Sequence, residues 1–171
     1  MIFCSFGQLG LGVYKKSGRC NLTESVATPV PVPVNSSGKI LHVACGGGHS
    51  LIVNEEGVIM SCGSNSCGQL GLGNEDDVDV FTSIPFFTHM ELNPLEVAFV
   101  ACGEEYSACI TRHRQVYTWG LGNVGQIGNG DFRNVNAPYH VEELEDKQVE
   151  GLTCSQSQVF AICSNGQVFN W

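Results

Sequence analysis

Val116-Tyr117-Thr118-Trp119-Gly120-Leu121-Gly122-Asn123-Val124-Gly125-Gln126-Ile127-Gly128-Asn129-Gly130 decides how this chain is read. A short run of β-formers enters a tract with glycine at 120, 122, 125, 128 and 130. An earlier copy, IMSCGSNSCGQLGLG, spans 59–73 and carries Gly63, Gly68, Gly71 and Gly73 at matching places. Part of another, GQLGLG, spans 7–12, and VFNW at 168–171 has the look of a further copy's opening strand. The sequence is therefore one unit written several times, and function has to be read through the repeat.

Working outward, Cys45 to Cys62, Cys102 to Trp119 and Cys154 to Trp171 are each 17 positions apart. A proline precedes each first cysteine, at Pro29, Pro85 and Pro138. These anchors set approximate units at 7–62, 68–119 and 125–171. The distance between units varies only from the glycine tract to the proline, which marks surface loops at 13–28, 74–84 and 131–137.

Within a unit the runs EVAFVAC (96–102), YSACITR (106–112) and QVYTW (115–119) are short, β-branched or aromatic, and bounded by turn residues. PVPVPV, 29–34, suits an edge strand or an extended segment, because proline cannot donate to a ladder. Asn54-Glu55-Glu56-Gly57, Arg112-His113-Arg114 and Ser164-Asn165-Gly166 fit hairpin turns. No window shows a capped apolar period of 3.6. Several strands per unit of roughly 50 residues is the mark of a β-propeller blade, which must stack on its neighbours to bury its faces.

The succession strand-W-G, then G-Q-(L/I)-G-x-G, then proline, then V-A-C-G-x-x-H-S resembles the regulator of chromosome condensation repeat. VACGGGHSLIV (43–53) and YTWGLGNVGQIGNG (117–130) carry the likeness. On it, Cys45, Gly46, His49, Cys102, Gly103, Trp119, Gly120 and Trp171 are structural repeat positions. The resemblance implies a seven-bladed propeller, so the expected fold is all-β: an open arc of about three four-stranded blades. The chain departs from the pattern in having three units, in carrying Cys62 where tryptophan is usual, and in a third unit, CSQSQVFAIC (154–163), without the glycine and histidine.

Composition limits the function classes. The 171 residues are 43% hydrophobic, enough for a core, and no apolar run reaches membrane-spanning length. Net charge is −9, with 17 acidic against 8 basic residues, which argues against a nucleic-acid binder. Nine cysteines, an odd number, fit a reducing compartment, and the opening residues lack the pattern of a secretory signal. The expected location is intracellular, cytoplasmic or nuclear, with no membrane association.

Candidate chemistry is thin. Gly120-Leu121-Gly122-Asn123-Val124-Gly125 is formally G-x-G-x-x-G, but the glycines that follow do not allow the helix a dinucleotide site needs. Cys45, His49, Cys62 and Cys67 could be assembled into a zinc set. The repeat argues otherwise, since the His49 position becomes Tyr106 and Gln158, and Cys45, Cys102 and Cys154 read as small buried residues on an inner strand. The acidic run Asn74-Glu75-Asp76-Asp77-Val78-Asp79 lacks the offsets of a calcium loop. Ser50 beside His49 points to the opposite face of a strand, so the two cannot act together. No cofactor, metal or catalytic constellation is expected.

The reading is a protein-interaction scaffold whose variable loops bind, with Glu75, Asp76, Asp77, Asp79, Asp131 and Arg133 as candidate contact residues. The family's founding member suggests an alternative, guanine nucleotide exchange on a small GTPase. Another is the regulatory propeller of a larger protein such as a ubiquitin ligase. An arc of three units is expected to leave apolar terminal faces that self-associate or are covered by further repeats.

Overall fold

The computed structural model describes residues 6–12, 28–88 and 95–171. The loop expected at 13–28 lies, apart from Thr28, outside them. The first sheet pairs β1 (Ile40–Cys45), β2 (His49–Asn54), β3 (Ile59–Gly63) and β4 (Val78–Ser83) in sequence order, all antiparallel. The second repeats it with β5 (Val97–Cys102), β6 (Tyr106–Thr111), β7 (Val116–Gly120) and β8 (Val135–His140). The third has three strands, β9 (Val149–Cys154), β10 (Val159–Cys163) and β11 (Val168–Asn170). The register repeats with the sequence: Leu51 faces Ser61 in the first sheet and Ala108 faces Thr118 in the second.

The sheets and the sequence units are out of phase. The glycine tracts at 63–73 and 120–130 lie between the third and fourth strands of their sheets, so a unit such as 68–119 holds the fourth strand of one sheet and three strands of the next. The loops expected at 74–84 and 131–137 are correspondingly shorter, because Val78–Ser83 is β4 and Val135–His140 is β8. Pro138 sits inside β8, where an outermost strand tolerates a missing donor. Pro85 instead opens a four-residue helix, α1 (Pro85–Thr88), after β4 has ended. The two prolines share a spacing and not a structural position: the register places Phe81 where the second sheet has Pro138. Residues 29–34 belong to no strand.

The second and third strands are joined by one turn used three times. Gly57 N bonds Asn54 O at 3.0 Å, Arg114 N bonds Thr111 O at 3.0 Å, and Gly166 N bonds Cys163 O at 2.9 Å. The fourth turn residue is left-handed in each, with φ of 79°, 67° and 82°. Glycine takes that conformation freely at 57 and 166, and an arginine takes it at 114.

Packing follows strand alternation. Leu51 and Val53 point from the first sheet into a core shared with Val97, Val100, Cys109, Tyr117 and Trp119 of the second. Ala108 and Ile110, at the same positions one sheet later, point into a core shared with Val149, Leu152, Val159 and Ala161 of the third. Their counterparts in β10, Phe160 and Ile162, are 39% and 49% exposed. Every residue of β2, β3, β6 and β7 is buried because both faces of those sheets are covered.

Candidate functional site

The joints between sheets show what the repeated residues do. Trp119 is fully buried, and its indole Nε1–H donates to the Gln69 carbonyl at 2.9 Å. Gln69 lies in the glycine tract of the preceding sheet. Trp171 donates to Gln126 O at 3.0 Å in the next joint, and the Cys62 thiol lies 3.7 Å from Gln8 O in the first. Close approach requires glycine under the ring: a β-carbon on Gly71 would stand 2.8 Å from Trp119 Nε1, and one on Gly128 would stand 2.8 Å from Trp171 Nε1. At the first joint, where cysteine replaces tryptophan, Phe81 fills the space over Gly10. The paired tract glycines also take left-handed backbone, with φ from 66° at Gly10 to 89° at Gly125.

His49 belongs to the same device. Its Nε2 lies 2.9 Å from Ser107 Oγ, whose hydroxyl donates to Gln69 O at 2.7 Å. A hydroxyl has one hydrogen, so His49 Nε2 carries the proton of that pair. Burial lowers the imidazole pKa to about 4, which keeps it neutral. The ring covers Gly46, and in the second sheet the Tyr106 ring covers Gly103 so closely that a β-carbon there would fall on it. Tyr106 donates to Gln158 O at 2.6 Å. The third sheet has no ring at this position, Gln158, and no glycine, Ser155. Loss of glycine and ring in the third unit is thus one change.

The exposed variation lies at the end of the sheets that carries the glycine tracts. Here the β1–β2, β5–β6 and β9–β10 turns are linked by Gly47 N to Glu104 O at 2.9 Å and Glu104 N to Gln156 O at 3.4 Å. They floor a shallow trough of about 480 Å³ lined by Cys45, Cys102, Glu104 and Gln156. Glu75 and Asp76 are exposed on the neighbouring loop. Glu104 and Glu105 are contact candidates the sequence reading passed over; the signal for them was the variable pair between the fixed glycine and ring, Gly47-Gly48, Glu104-Glu105 and Gln156-Ser157. Glu105 and Glu75 approach from different sheets: after burial, they are the charges that push the Cys67 thiol pKa up.

The six loop candidates do not form one site. Asp77 accepts from Asn65 N at 2.8 Å and holds its loop in shape. Asp79 is not in a loop: it lies in β4, packed on Gly7, and its carbonyl accepts from Gly12 N at 3.0 Å. Asp131 accepts from the backbone of Arg133 at 3.0 Å and from Arg133 Nε at 2.6 Å. That guanidinium holds the Asp131 carboxyl below its usual range. Glu75, Asp76 and Asp77 are the exposed acids of the set, and of these Asp77 is the one committed to a backbone amide.

The remaining candidates separate. After Gly120 the chain makes successive tight turns, Gly125 N to Gly122 O and Gly128 N to Gly125 O, both 2.9 Å, with no helix to hold a pyrophosphate. Among the described residues no group of three potential ligands is placed to hold a metal ion. The inner-strand cysteines are less buried than expected, because they stand at the strand ends beside the trough: Cys45 is exposed, Cys102 and Cys154 partly so. Burial still raises Cys102 well above the usual thiol range and pushes Cys154 up to about 12, so both stay protonated and weakly nucleophilic.

The repeat model described as "Regulator of chromosome condensation (RCC1) repeat" matches residues 5–53, 56–110 and 115–162. The chain belongs to the RCC1 repeat family. Its relatives include the ultraviolet-B receptor UVR8 of Arabidopsis thaliana, 29% identical over 95% of this chain and 36% of that protein. The human E3 ubiquitin-protein ligase HERC2 is 31% identical over 95% of this chain and 3% of its own length. The probable E3 ubiquitin-protein ligase HERC4 of Homo sapiens is 30% identical, over 99% of this chain and 15% of its own. The chain thus spans little more than a third, or far less, of these relatives. Human WBSCR16 has the same fold, with a TM-score of 0.79 and 23% identity, covering 97% of this chain and 40% of that one. Prp20p of Saccharomyces cerevisiae follows, with a TM-score of 0.71 and 21% identity, over 88% and 36%. The RCC1-repeat chain is an open all-β arc of propeller sheets.

Proposed function

We propose that this RCC1-repeat chain is a protein-interaction segment that engages a basic partner surface at the glycine-tract end. The observation that carries the reading is the contrast between a fixed frame and a variable, acidic rim. Tract glycines and a carbonyl recur at each joint, with an indole on them at two of the three, while Glu75, Asp76 and Glu104 stand exposed at the trough end. Complementary charge sets partner choice and association rate more than affinity. Isothermal titration with an oligolysine peptide at low and high salt tests it. Salt-sensitive binding lost in Glu75→Lys/Asp76→Lys/Glu104→Lys is the expected result. Binding unchanged in that variant overturns the reading.

A second reading, nucleotide exchange on a small GTPase, is favoured by the likeness to Prp20p, a structure described with its binding properties to Gsp1p and histones. A nucleotide-release assay against a GTPase panel separates it from scaffolding alone. The HERC relatives favour a third arrangement, in which such an arc regulates a larger protein.

A further inference from the structure

Arg114 is the one described non-glycine residue with positive φ, at 67°. Its two counterparts in identical turns are Gly57 and Gly166. A left-handed residue with a β-carbon is disfavoured by roughly 1–2 kcal/mol, so this turn holds a side chain that backbone energetics alone would remove. The fold does not account for it. Among the described residues the guanidinium has one hydrogen bond, a long one from Nη1 to Val149 O at 3.4 Å, and no carboxylate within ion-pair distance. Strain kept without a structural return points to a ligand.

The surroundings suit one. Arg114 lines a cleft of about 390 Å³ at the hairpin-turn end, opposite the acidic trough, together with His42, Phe99, Arg112 and Glu150. Each sheet contributes: His42 from β1, Phe99 from β5, the two arginines from the β6–β7 turn, Glu150 from β9. Arg112 is fixed at the rim, its Nη1 2.8 Å from Glu96 Oε2 and its Nη2 donating to Glu55 O at 2.6 Å. His42 and Phe99 meet edge to face at 5.4 Å and form an aromatic wall. Arg114 is thus a cation with unused donors beside an aromatic wall. Glu150 and Glu96 nearby make a dianion unwelcome, whereas a single planar carboxylate matches a guanidinium fork.

We propose that this cleft is a second binding site, which takes the carboxylate of an acidic peptide segment on a partner protein, held by Arg114 against His42 and Phe99. It rests on the reading of the chain as a protein-interaction segment and adds the opposite end to it. The test is fluorescence anisotropy of a labelled oligoglutamate peptide, N-acetylated and C-amidated, on the whole chain and on Arg114→Gly. The wild type is expected to bind, with acetate competing better than inorganic phosphate at equal ionic strength. Arg114→Gly is expected to weaken binding by about tenfold or more, as loss of a charge-assisted pair does, and to melt at the same or a higher temperature. No binding by the wild type, undiminished binding by Arg114→Gly, stronger competition by phosphate, or a lowered melting temperature in the variant each overturns the proposal. Oligolysine binding in the same samples reports the acidic end separately, so that either site can fail alone.

Discussion

At the scale of single residues, His49 ties stability to pH. Its imidazole pKa is lowered to about 4 by burial, against about 6.5 when unfolded. The unfolded chain therefore takes up a proton that the folded chain refuses, and the contribution is fully present above pH 6.5 and lost as pH falls toward 4. The difference is on the order of 3 kcal/mol. Urea titrations across this window should show His49→Gln less acid-sensitive than the wild type; parallel curves would contradict the assignment. The glycine beneath each ring makes a second residue-scale prediction. Gly103→Ser collides with Tyr106 and should destabilise by roughly 1–3 kcal/mol, and Tyr106→Gln should also destabilise. Together they recreate the Ser155/Gln158 pair, so the double variant should be less damaged than the sum of the two by about 1–2 kcal/mol. Simple additivity in a double-mutant cycle would refute the pairing. Neither coupling was written in any one unit of the sequence; it emerges from comparing a unit that kept the ring with one that lost it.

At the scale of elements, tryptophan at the end of the third strand secures one sheet to the glycine tract of the sheet before. Trp119 is fully buried and Trp171 only partly. Trp119→Ala should cost about 3–5 kcal/mol, and Trp171→Ala less; chemical denaturation of both variants decides it, and equal losses would mean that burial does not set the anchor's worth. These joints were legible in the sequence, because a glycine tract and a tryptophan at constant spacing are what a close ring-on-backbone contact demands. The sheet boundaries were not. A periodic sequence has no intrinsic starting point, so the fourth strands fell into segments read as loops. Val78–Ser83 is rich in β-formers but directly follows the acidic run at 75–77, and Val135–His140 carries Asn136 and Pro138, so each was absorbed into the variable stretch beside it. Of the acidic loop residues, sequence could place Glu75 and Asp76 at the surface but could not tell that Asp77 and Asp79 are occupied by the fold. The left-handed Arg114 was invisible for a related reason: several hairpin turns accommodate Arg-His-Arg, and the glycine rule pointed the other way.

At the scale of the molecule, the third sheet presents Phe160, Ile162 and Val168, the last 61% exposed, on the face whose counterparts in the earlier sheets are covered. As an isolated polypeptide the 171 residues are expected to self-associate through it. Light scattering should show mass rising with concentration, and Phe160→Thr/Ile162→Thr should suppress the rise. A concentration-independent monomer for the unmodified chain would rule this out.

The phase offset between sequence unit and sheet reaches further. Because the glycine tracts of the first two sheets are each lodged in the sheet that follows, the angle between neighbours is set at the joint itself. A partial ring then does not wait for closure to acquire its curvature, and its joints act as brackets and not as hinges. The match to a much longer propeller chain, human WBSCR16, already covers 97% of this chain and 40% of that one. Adding or removing a whole period would change how far the arc sweeps and leave its radius alone.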